Sequence, residues 1–199
     1  MKTRTGIIVG TAGMAAVATA VMTAFGAGAS SRPALTRPVD LRELVFLSSG
    51  HGMAYGPARN GSAGTPPFTN VYVTPAAYRD FMKTGQWPEG ATFFLEVRQG
   101  VEHVSINSGG QSQGDLLALE AAVKDSKRNP DGGWAYFDFG PGGREPEARM
   151  LPRTESCYAC HSRHGAVEWT FTQFYPEQFA VAKTKGTVRG DYDPDVRAK

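Results

Sequence analysis

Residues 157–161 read Cys-Tyr-Ala-Cys-His and contain both cysteines of the 199-residue chain. A spacing of three residues places the two thiols on one side of a helical turn, where each can add to a vinyl group of the same haem. The histidine that follows is then held beside the porphyrin plane, where an imidazole nitrogen can bind the iron. The motif predicts a chain folded around one haem c, attached through Cys157 and Cys160, with His161 as the axial ligand of the iron.

Three other uses of this motif fit the surrounding sequence less well. A redox-active dithiol usually follows a strand near the start of a βαβ unit, whereas this motif lies near the C-terminus. A zinc site needs two more ligands at metal spacing, and only His164 is close. A structural disulfide leaves the adjacent histidine without a role. We therefore expect covalent haem rather than any of these.

The first 29 residues have the layout of a secretory signal. They carry Lys2 and Arg4 without any acid, then an apolar run from Ile7 to Phe25, then small residues that suit cleavage after Ala29. The alternative is a retained anchor, because such a run could also span a bilayer. Its many Gly, Ala and Thr residues make it only weakly apolar, which favours cleavage. We expect a periplasmic protein, since bacterial c-type haem is attached in the exported compartment.

Composition excludes several classes of protein. With 41% hydrophobic residues the chain is too apolar to be disordered, and two cysteines are too few for a disulfide scaffold. Lys and Arg total 21 against 19 Asp and Glu, and two of the cations lie in the leader. The mature chain is formally neutral, so no nucleic-acid partner is expected.

Hydrophobic patterning predicts an α+β domain, with an antiparallel sheet and short helices packed around it. Thr74-Pro75 can start a helix that Gly85 ends. Residues 115–127 fit either a helix or a strand. The other predicted elements are strands at 68–73, 91–98, 134–139 and 167–171, a hairpin partner at 102–106, and helices at 41–46, 157–161 and 176–183. The expected organisation is a signal peptide (1–29), a linker (30–39), a haem domain (40–185) and a C-terminal tail (186–199).

Several separated segments resemble the cytochrome P460 family in the right order. They are Phe-Thr-Asn-Val-Tyr-Val at 68–73, the run at 119–128, Trp-Ala-Tyr-Phe at 134–137, the pentapeptide at 157–161, and Phe-Thr-Gln-Phe-Tyr-Pro at 171–176. The resemblance covers about residues 40 to 185. It implies one of two branches: a hydroxylamine-oxidising branch with a lysine cross-linked to haem, or the cytochrome c′-beta branch, which binds nitric oxide and carbon monoxide in an apolar pocket.

Leu95 stands where the cross-linking lysine would be, and leucine has no nucleophilic atom. The segment after Phe68 also lacks the distal arginine of the hydroxylamine-oxidising branch. The resemblance therefore implies a cytochrome c′-beta-like protein in a homodimeric state. From the residues themselves we expect five-coordinate iron and a pocket lined by Phe93 and Leu95, which share one face of their strand, with Phe68 as their partner on the preceding strand. Such a protein would take nitric oxide or carbon monoxide as ligand and could exchange electrons with a redox partner protein.

Two alternatives to gas binding stay open. Glu120 could move protons if it faces the haem, which would favour chemistry on hydroxylamine or peroxide. Its simpler role is a salt bridge with Lys124 or Arg128, and those cations could instead neutralise haem propionates. A sixth protein ligand would make the chain an electron-transfer cytochrome. No candidate for that ligand stands out among Met53, Met82, Met150, His51, His103 and His164.

Overall fold

The structure is a computed structural model that describes residues 33–53 and 64–195. The predicted leader and its cleavage site lie outside these ranges. Every helix within them is too short or too polar to cross a bilayer. The strands are β1 Ala34–Thr36, β2 Val45–His51, β3 Phe68–Val73, β4 Thr92–Glu102, β5 Gln111–Lys124, β6 Trp134–Asp138 and β7 Glu147–Arg149, and the helices are α1 Pro75–Thr84, α2 Ser156–His164 and α3 Pro176–Lys185.

Five strands form one antiparallel sheet in the order β2-β3-β4-β5-β6, so each strand pairs with its neighbour in sequence. Strands β1 and β7 form a second, two-stranded antiparallel sheet. The predicted α+β class with an antiparallel sheet and short helices is confirmed. The strand predicted at 68–73 and the helix from Pro75 to the left-handed Gly85 (φ 74°) have the predicted bounds.

The main sheet carries a separate apolar core on each face, because successive side chains of a strand point to opposite sides. One core lies under α1, α2 and α3 and contains Phe93, Trp87 and Trp134. The other contains Phe94, Leu119 and Phe139. The stretch at 115–127, which fits either a helix or a strand, is a strand in the structure: β5 includes it up to Lys124, and Leu119 is completely buried.

Several predicted elements differ from the structure. Residues 102–106 do not pair with β4; β4 itself extends to Glu102, a turn follows, and β5 is the hairpin partner. The helix predicted at 41–46 is only a 3-10 turn, Leu41–Glu43, capped by Asp40, since the residues from Val45 onward pair with β3. Part of the expected linker forms β1, which pairs with β7.

The strand predicted at 167–171 is a tight turn instead. Val167 and Thr170 form an isolated bridge, and a 3-10 turn over Thr172–Phe174 follows. The indole N–H of Trp87 donates to the hydroxyls of Thr170 and Thr172, at 3.1 and 3.2 Å. These long-range bonds hold the segment against the helical face of the sheet, where Val167 and Trp169 join the core around Trp87.

Candidate functional site

A cavity of about 500 Å³ lies between the helical face of the sheet and the chain that runs from α2 to α3. Its size is within the range of small-molecule and cofactor sites. Strands β3, β4 and β5 supply one wall, and α2 with the turn after it supplies the other. Of the predicted site residues, the cavity brings together Cys157, Cys160, His161, Phe93, Leu95 and Glu120.

Both thiols of the pentapeptide line the cavity from α2. Cys157 and Cys160 are half-buried and not joined in a disulfide. Burial raises the pKa of both thiols, so they stay protonated at neutral pH. The predicted short helix is confirmed and runs from Ser156 to His164. One helical turn therefore presents two unpaired thiols to the same cavity.

His161 is held in a single tautomer. Its Nδ1 lies 2.8 Å from the carbonyl oxygen of Trp169, and because a carbonyl only accepts, Nδ1 carries the proton. The ring lies between Tyr136 and Phe171, with centroids 4.5 and 4.2 Å away. Burial lowers the pKa of His161 to about 4, so the imidazole is neutral and Nε2 keeps its lone pair.

These residues fit a haem of the c type. A histidine that binds a metal through one nitrogen characteristically donates its other N–H to a carbonyl or carboxylate, which fixes the ring orientation. His161 has that arrangement, and the two thiols share its cavity. Cys157 and Cys160 would hold the haem, and His161 would bind its iron.

The sheet wall opposite α2 is mostly apolar. Val71 on β3 pairs with Leu95 on β4, and Phe93 lies two residues earlier on the same face. Phe68 is not part of this wall. It packs on the ring of His51 (4.4 Å between centroids), while Thr69 and Val71 of the same strand face the cavity. The prediction placed Phe68 in the wrong set because the sequence indicates the strand but not which of its faces meets the cavity.

Glu120 faces the cavity and does not form the expected salt bridge. Lys124 pairs with Glu168 at 2.6 Å instead, and Arg128 approaches Asp125 at 3.5 Å. Glu120 lies directly across from Leu95 on β4 and from Asp138 on β6. Its side chain is exposed to the open space of the cavity. Burial, with a smaller contribution from the charge of Asp138, raises its pKa.

Of the six candidates for a sixth ligand, only Met53 is among the described residues that line the cavity. Its sulfur lies against Gly50, and a Cβ at that position would collide with Met53 Sδ. The glycine-rich sequence after β2 gave no signal for this contact.

Sequence reasoning also missed three residues around His161: Tyr136, Trp169 and Phe171. The predicted strand at 134–139 contains Tyr136, and the alternation of aromatic with smaller residues in that strand was the available signal. Trp169 and Phe171 lie in the segment 167–171, whose sequence predicts a strand. In the structure this segment is a turn, and the turn places both residues beside the imidazole.

A comparison with protein families matches residues 42–172 to the family described as Cytochrome P460. The match covers more than half of the chain, from the 3-10 turn before β2 through the turn after α2. It includes the pentapeptide and every strand that lines the cavity. No curated protein matches the chain.

Proposed function

The chain belongs to the cytochrome P460 family, whose members are haem cytochromes, and we propose that it is an exported mono-haem cytochrome that binds nitric oxide or carbon monoxide. One observation carries the proposal: Cys157, Cys160 and His161 face the same cavity as the apolar wall of Val71, Phe93 and Leu95. Bound haem would supply an iron atom with one coordination position open to a diatomic ligand.

The two walls of the cavity would have different roles, one in holding haem and the other in facing the bound gas. Cys157 and Cys160 would attach the cofactor, and the neutral His161 would bind iron through Nε2 while Trp169 fixes its ring. Val71, Phe93 and Leu95 of the opposite wall offer no hydrogen-bond donor to a ligand that gains negative charge, and the hydroxyl of Thr69 beside them donates to Gly50 O at 3.5 Å. Such a wall favours nitric oxide and carbon monoxide over dioxygen.

The position of Leu95 supports the cytochrome c′-beta-like branch. It lies on β4 in the cavity wall, where a cross-linking residue would have to stand. None of the described residues that line the cavity is a lysine. A lysine cross-link to haem has no donor in this wall, which counts against oxidation of hydroxylamine.

Optical spectroscopy on the haem-loaded protein tests the proposal. We expect a high-spin c-type spectrum in the ferrous state that shifts on addition of nitric oxide or carbon monoxide. Hydroxylamine with an electron acceptor should give no turnover. Steady oxidation of hydroxylamine would contradict the proposal and favour a catalytic role for Glu120, and a low-spin spectrum in both oxidation states would favour an electron-transfer cytochrome.

Double replacement of Cys157 and Cys160 with alanine checks how haem is held. Haem should then be extracted by acidified organic solvent, whereas the wild-type protein should keep it. Extraction of haem from the wild-type protein would contradict covalent attachment.

A further inference from the structure

The turn after α2 presents a backbone carbonyl to the imidazole. Trp169 O accepts the proton of His161 Nδ1 at 2.8 Å. The residue before it, Glu168, has a left-handed backbone with φ 53°. That conformation is unfavourable for residues other than glycine, so surrounding contacts must hold it in place.

Lys124 holds the turn from the side of the sheet. Its Nζ lies 2.6 Å from Glu168 Oε1 and donates to the carbonyl of Trp87, also at 2.6 Å. The backbone of Lys124 is fixed at the end of β5, where its N–H donates to Ala91 O at 2.9 Å. The two charged side chains are only 13% and 28% exposed, so solvent screens this pair less than a surface pair.

Arg189 holds the same turn from the other side. Its Nη1 donates to Glu168 O at 3.5 Å and to the carbonyls of Ser162 and Gly165 just before the turn, and its backbone N–H donates to Ala166 O at 2.9 Å. Arg189 lies in the segment expected to be a tail. The turn is thus tied both to the sheet and to the C-terminal segment.

We propose that Lys124 and Glu168 are positioning residues that set the hydrogen bond between His161 and Trp169, and through it the electron donation of the imidazole to the haem iron. The inference rests on the proposed function, since it requires bound haem. A hydrogen bond accepted from Nδ1–H makes Nε2 a stronger donor, so it stabilises the more highly charged ferric iron. Without the contact from Lys124, the turn would hold Trp169 O less firmly and the hydrogen bond from His161 Nδ1 would weaken. The ferrous state would then be favoured.

The test compares Glu168→Gln and Lys124→Met with the wild-type holoprotein by spectroelectrochemistry and resonance Raman. Each variant should raise the ferrous-to-ferric ratio at a fixed potential about tenfold, which is 59 mV for one electron. The iron–histidine stretching frequency should fall in both. Lys124→Arg keeps a cation opposite Glu168 and should return both readouts toward the wild-type values.

A matched control is available on the opposite face of the sheet. Glu96 and Arg98 form an ion pair of the same length, 2.6 Å, and neither residue lines the haem cavity. Glu96→Gln should cost stability without changing the potential or the Raman frequency. If Glu168→Gln and Lys124→Met behave like this control, the ion pair is merely structural and the inference is overturned. A wild-type protein without a haem spectrum would overturn the proposed function as well, so the two failures are distinguishable.

Discussion

Replacement of Phe93 with alanine tests whether the aromatic wall controls access to the cavity. The ring is 6% exposed and packs near Trp87, Trp134 and Tyr175, with centroids 4.6, 5.6 and 6.2 Å away. Truncating a buried phenylalanine costs about 3–5 kcal/mol of unfolding free energy. Because this ring already borders a cavity, its removal enlarges that space rather than opening a closed void. We therefore expect the lower end, about 3 kcal/mol.

The same change should speed gas binding. With the ring gone, a diatomic molecule meets less steric resistance on its way into the cavity. A barrier lower by 1.36 kcal/mol would raise the association rate about tenfold. Flash photolysis of the ferrous carbon monoxide complex measures this rate, and urea denaturation measures the loss of stability.

Phe94 provides the control, since it is the next residue on β4 and points into the opposite core. It is buried to the same degree, at 5% exposed, and packs near Phe139. Phe94→Ala should cost a similar free energy of unfolding but leave the carbon monoxide association rate unchanged. Equal rates in the two variants would refute the assignment of Phe93 to the ligand path.

Three further predictions concern single residues of the cavity. The folded protein raises the pKa of Glu120 above its ordinary 4.5, so ionisation of this carboxyl opposes folding. Glu120→Gln should therefore be more stable than wild type at pH 7. Urea titrations should show this difference in stability vanish below pH 4.5. Met53→Leu keeps apolar bulk without sulfur and should leave the ferrous spectrum unchanged, whereas loss of low-spin bands would show that Met53 binds iron. His161→Gly should lose the axial ligand while the thiols retain haem, and added imidazole should restore the wild-type spectrum.

The chemistry-bearing part of the site could be predicted because it is local. Both thiols and the imidazole occur within five consecutive residues, and one helical turn fixes their relation whatever the rest of the chain does. The opposite wall depends on register instead. The sequence of β3 predicts a strand but not which alternate set meets the cavity, because one residue of slip exchanges the two faces. The sequence therefore favours Phe68, whereas in the structure Thr69 and Val71 line the cavity.

The turn after α2 could not be predicted for a different reason. Val-Glu-Trp-Thr-Phe at 167–171 alternates apolar and polar residues, which is a strand pattern, but a strand also needs a partner. Trp87 binds the hydroxyls of Thr170 and Thr172 from a position far away in sequence. Tertiary contacts of this kind override local propensity, and no local pattern reveals them.

One residue that would help to tune the haem lies outside the family match. The pentapeptide, the strands that line the cavity, and the positioning residues Lys124 and Glu168 lie within the family match at 42–172. Arg189, which donates to Glu168 O in the turn that carries the Trp169 carbonyl, lies beyond it. The direction of a carbonyl depends on the backbone on both sides of it, so the C-terminal segment contributes to the hydrogen bond of His161. Two chains with the same pentapeptide and the same cavity wall are therefore expected to differ in proximal ligand strength when their C-terminal segments differ.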